Sequence, residues 1–84
     1  MPEICRFGGV RVAVFSNDHP PPHVHAVYAG ASARVGIAPV VILDGELPSR
    51  IESQVLEWAR RNRSDLVRAW NQARDRVAVD RVGS

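Results

Sequence analysis

Hydrophobic positions along this chain change their spacing once. Up to residue 43 they alternate with polar residues or form short β-branched blocks cut by glycine and proline, whereas after Pro48 they recur every three or four residues. The first regime predicts strands and the second helices. Residues 3–8 read as an extended start ended by a bend or bulge at Gly8-Gly9. Residues 10–15 make the first clear strand, with Val10, Val12 and Val14 facing one way. A second strand spans residues 23–28, Ala29-Gly30-Ala31 supplies a hairpin turn, and a third strand spans residues 32–37 with Arg34 on one face. Pro39 breaks that strand, and residues 40–43 form a fourth, closed by the turn signal Asp44-Gly45.

In the helical half, Ser49 and Glu52 have the spacing of a capping box. Ile51, Val55, Trp58 and Ala59 then share one stripe, and Arg60, Arg61 and Arg63 gather near the exit end, where positive charge suits the dipole. Ser64 is placed to cap a second helix carrying Leu66, Trp70, Ala73 and Val77. The short junction at Asn62-Arg63 predicts a helical hairpin or one kinked unit, and the alternating tail from Val77 to Val82 predicts a short edge strand. Strands followed by helices specify an α+β fold: a small antiparallel sheet of about four strands with a two-helix hairpin on one face. The stripe holding Trp58 and Trp70 is expected to be core.

A length of 84 residues predicts a single domain, residues 1–84, with one small core. The longest purely apolar run, from Ala38 to Leu43, is far too short to cross a bilayer, so no membrane is expected as a partner. The opening residues lack the charged-then-apolar order of a secretory signal, and the one cysteine, Cys5, excludes an internal disulfide and reads as a buried or idle thiol. A cytoplasmic location is the expectation that follows. All 11 basic residues are arginine and the net charge is only +2. Arginine's planar fork suits carboxylate and phosphate, which favours an RNA or acidic-protein partner, against the plain alternative of a compositional bias in the source genome. Two arginine-rich helices also raise DNA binding, but the junction is tighter than a helix-turn-helix turn and contains no glycine.

Candidate chemistry is concentrated in one loop. All three histidines, His19, His23 and His25, lie within ten residues beside Asp18 and across Pro20-Pro21-Pro22. Proline stiffness fixes polar groups before any ligand arrives. One reading is a zinc or nickel site built from Asp18, His19, His23 and His25. Geometry strains it, because a polyproline-like path from His19 to His23 separates their α-carbons by about 12 Å. The second reading is acid–base chemistry on RNA, with His23 and His25 exchanging protons and Arg34 holding phosphate. The third is structural: these side chains close the loop by bonding backbone amides, as Asn17 and Asp18 commonly do.

The opening Met-Pro-Glu-Ile-Cys-Arg-Phe, the run Asn17-Asp18-His19 with Pro21-Pro22-His23-Val24-His25-Ala26, and Leu56-Glu57-Trp58-Ala59 with Trp70 resemble the small bacterial family DUF4160, from residue 1 to about residue 76. The resemblance implies a stand-alone small protein, commonly encoded beside a small cognate partner, and thus a component of a toxin-antitoxin-type pair. It carries the family's histidine motif onto Asp18, His19, His23 and His25. Cys5 stands where the family usually has serine, and Val27 where an acidic residue is common. The expected function is an RNA-cleaving or RNA-binding member of such a pair. The alternative is a non-enzymatic protein that binds a metal, a partner or DNA. A small core and open sheet edges also make a homodimer plausible.

Overall fold

A two-residue glycine turn opens the structure. Gly8 and Gly9 both have positive φ, +53° and +82°, the backbone that a tight hairpin requires at its two central positions and that glycine adopts without a Cβ penalty. The extended start is therefore a full strand, β1 (Glu3–Phe7), paired antiparallel with β2 (Val10–Ala13). The computed structural model describes residues 3–16 and 19–83. Within them follow β3 (His23–Tyr28), β4 (Ala31–Gly36), β5 (Ile42–Glu46), α1 (Ser49–Arg61) and α2 (Arg63–Arg74). The sheet is an antiparallel meander in the order β1-β2-β3-β4-β5. The fold is α+β as expected, with five strands rather than about four.

Alternation along the strands sorts the side chains. Val10, Val12, Val24, Ala26, Ala33 and Val35 are buried, and they share one hydrophobic cluster with Ile51, Val55, Trp58 and Ala59 of α1 and Leu66, Ala69, Trp70 and Ala73 of α2. The two tryptophans are 1% and 2% exposed. At roughly 25 cal/mol per Å² and about 150–250 Å² each, they contribute on the order of 4–6 kcal/mol apiece. No helix among the described residues is long and apolar enough to cross a membrane.

Four local expectations are corrected. Asp44-Gly45 is not a turn but lies inside β5. Arg34 faces Asp44 and Val35 faces Ile42, so Leu43 is an extra, bulged residue, and Gly45 takes φ +83° where the strand passes tightly over Ser32 and Ala33. The Ser49–Glu52 capping box does not form, because Ser49 already sits in the first turn and Pro48 is the N-cap; the Glu52 amide donates to the Pro48 carbonyl at 2.8 Å. Ser64 does not cap α2. Asn62 separates the helices instead, and both its amide and its Nδ2 donate to the Trp58 carbonyl, at 3.1 and 2.9 Å. The tail after Asp75 forms no strand, yet it is anchored: the Val82 amide donates to the Ile4 carbonyl at 2.7 Å and Trp58 Nε1 to the Gly83 carbonyl at 2.7 Å.

Candidate functional site

The sheet face away from the buried valines is where β3 presents its odd-numbered residues. Register puts His25 directly opposite Ala13 on β2 and Arg34 on β4, and Arg34 opposite Asp44 on β5. Ala13 in turn faces Glu3, so one row, Glu3–Ala13–His25–Arg34–Asp44, crosses all five strands. Two depressions flank His25. The larger, about 310 Å³, is lined by Phe15, His25, Val27, Ser32, Arg34 and Asp44 among others. The smaller, about 40 Å³, is lined by Glu3, Arg11, Ala13, Phe15, His25 and Val27. They share Phe15, His25 and Val27 and together make a trough across the open face.

The residues singled out from the sequence occupy different settings. His25 is half-buried in the trough, with the Phe15 ring edge-on at 4.4 Å between centroids. His23 projects from the same strand but is only 1% exposed, because Trp70 of α2 closes over it at 5.2 Å between centroids. The His23 and His25 rings lie 5.1 Å apart, edge to face. His23 Nδ1 is 2.8 Å from the Pro21 carbonyl oxygen. A carbonyl can only accept, so Nδ1 carries the proton, and the ring pins the proline loop to the start of β3. His19 is exposed on that loop, and Asp18 lies outside the described residues.

Arg34 is in the trough, but Asp44 holds it: Nε donates to Asp44 Oδ2 at 2.8 Å and Nη2 donates to the same oxygen. The Arg34 hydrogen bond holds the Asp44 carboxyl below its ordinary range, assisted by the charges of Arg34, His23 and His25 and opposed by partial desolvation. A phosphate reaching Arg34 must therefore compete with a carboxylate. At the other end of the row, Arg6 and Arg81 both pair with Glu3, at 2.7 and 3.6 Å, and the Arg6 hydrogen bond foremost lowers the Glu3 carboxyl. Arg11 is exposed and has no ion-pair partner among the described residues. Sequence reasoning missed Arg11, Phe15 and Asp44. Alternation in residues 10–15 put Arg11 on the face opposite the valines, which was the available signal; Asp44 was hidden by its turn-like neighbour Gly45.

Of the four residues expected as metal ligands, His19, His23 and His25 lie within the described residues. Among the described residues no group of three or more His, Cys, Asp or Glu side chains is placed to hold a metal ion, and one nitrogen of His23 is already engaged by Pro21. Cys5 is buried at 2% exposure, and burial pushes its thiol up, as an inert core residue requires.

A profile of the family described as Domain of unknown function (DUF4160) matches residues 9–71. The chain belongs to the DUF4160 family. Comparisons with curated proteins and with solved structures give no match. The matched part of this DUF4160 chain runs from the glycine turn through most of α2, and so takes in Arg11, Phe15, His23, His25, Arg34 and Asp44. Glu3, which lines one end of the trough, and its partners Arg6 and Arg81 lie outside it.

Proposed function

We propose that this DUF4160 protein binds single-stranded RNA on the open face of its sheet. The observation that carries the reading is the Phe15–His25 ring pair, open to a trough with Arg11 at its rim. A sheet face with part-exposed rings is a surface on which unpaired bases stack whatever their sequence, and an arginine without a carboxylate partner is available to a phosphate. At that end Arg6 and Arg81 pair with Glu3 and Arg11 lines the same depression, so among these described residues three positive charges meet one carboxylate. In a toxin-antitoxin-type pair, this protein is the RNA-facing member.

Binding is favoured over cleavage. A two-histidine acid–base pair needs both rings at the substrate. His25 meets the trough, whereas His23 is sealed beneath Trp70 and bonded to the loop. The test is fluorescence anisotropy with a labelled oligouridylate at low salt. Phe15→Ala and Arg11→Glu are expected to weaken binding by about tenfold each, as loss of one stacked base or one phosphate contact predicts, with the RNA recovered intact. Absence of binding at low salt, or equal binding by folded Phe15→Ala and Arg11→Glu variants, overturns the reading. RNA cut by the wild type but not by a folded His25→Ala variant restores cleavage.

A further inference from the structure

A second surface lies where the helices meet the loop between β4 and β5. A groove of about 290 Å³ there is lined by Pro39, Val40, Arg60 and Arg63. Both arginines are exposed, with no ion-pair partner among the described residues. The nearest acid along α2, Asp65, is already paired with Arg68 at 2.7 Å. Next in the chain to Val40, Val41 is 41% exposed, one of two large apolar side chains exposed among the described residues. The apolar wall is held in shape. The Gly36 amide donates to the Val41 carbonyl at 2.7 Å and the Ile37 amide to the Pro22 carbonyl at 3.2 Å, so the loop is tied to the end of β4 and to the proline segment before β3.

Two like-charged guanidinium groups without a carboxylate beside a proline and a valine form a surface complementary to a partner of opposite charge that also brings aliphatic groups. Guanidinium forks accept carboxylate or phosphate alike. The floor decides between them: it is proline and valine, and no aromatic ring lines it, so it offers aliphatic burial and no stacking for bases. We propose that this groove docks an acidic, aliphatic segment of a partner protein, with its carboxylates on Arg60 and Arg63 and a branched side chain against Pro39 and Val40. This inference is independent of the RNA reading, which concerns the other face of the sheet.

The test is an amide NMR titration of the full chain with a synthetic peptide alternating glutamate and leucine. Saturable shifts are expected at Val40, Val41, Arg60 and Arg63 and not along the Phe15–His25 trough. The Arg60→Gln/Arg63→Gln variant is expected to weaken binding at least about tenfold, the loss expected of charge-assisted bonds. Val40→Asp, which keeps both arginines, is expected to weaken it similarly. Retention of the remaining spectrum checks that each variant is folded. Four outcomes overturn the proposal: no saturable shift up to about 1 mM peptide; shifts spread over every arginine; equal binding of a glutamate–serine peptide, which lacks the aliphatic groups; or an oligouridylate that perturbs these same amides more strongly than the peptide does.

Discussion

At Gly45 the chain of β5 passes so close to β4 that a side chain has nowhere to go. A Cβ there would approach the Ser32 carbonyl oxygen and lie 2.7 Å from Ala33 Cα, at a backbone φ of +83°. Gly45→Ala is therefore expected to cost about 2–3 kcal/mol in denaturant unfolding, from left-handed strain and overpacking together. Gly30→Ala is the matched control, since a Cβ on Gly30 meets nothing within 4 Å. The neighbouring Asp44 gives a pH prediction. Its carboxyl is held below the ordinary value of 3.8 by Arg34, so its contribution to stability is complete above that value and is lost as pH falls through the lower, folded-state one. In Arg34→Gln the Asp44 carboxyl should titrate close to the ordinary range, and carboxyl NMR of both proteins checks it. An unchanged Asp44 titration in that variant would show that the pair is not the cause.

Elements differ in how they are held, and the tail is the instructive case. Residues 77–83 form neither helix nor strand, but Val82 is 6% exposed and bonds Ile4, while Gly83 takes the indole proton of Trp58. Deleting residues 77–84 removes one buried valine and, with the exposed bonds of Asp80 and Arg81, the Val82–Ile4 and Trp58–Gly83 hydrogen bonds, an expected loss of about 2–4 kcal/mol, with the larger share in unpairing the buried indole. It also strips β1 of its cover, so concentration-dependent association in sedimentation should accompany the loss. An unaltered melting curve would mean that the tail contributes nothing to the core. The tail also marks the limit of what pattern reveals. Period-two and helical spacing located β2, β3, β4 and both helices because those signals depend on which face is wet. Alternation alone made Val77 to Val82 look like a strand, although a strand also needs a neighbour in register. Asp-Gly carries the same left-handed preference in a hairpin turn and in a bulged strand, so Asp44-Gly45 was ambiguous until β4 was beside it. Likewise His23 and His25 are equivalent by alternation. Only Trp70, brought over from α2, buries one and leaves the other open.

The whole molecule divides its polar work between two surfaces that share one core. The sheet's open face carries rings and arginines around His25, while the helix junction carries arginines around an aliphatic floor. Between them the tryptophans and valines form a continuous apolar layer, so substitutions on either surface should be separable in their effects. The family match spans the core elements that support both surfaces but stops short of β1 and the tail.

The hydrogen bond from Val82 to Ile4 has a topological consequence. It brings the beginning and the end of the described chain side by side, so the backbone comes close to tracing a closed loop. Joining these ends through a short flexible linker and opening the chain between Ala29 and Gly30, in the exposed β3–β4 turn, should give a circular permutant that keeps every strand pair. Such a permutant is expected to reproduce the native amide spectrum away from the new break and to melt cooperatively. A molten spectrum would show instead that the β3–β4 hairpin must be covalently closed for the sheet to form.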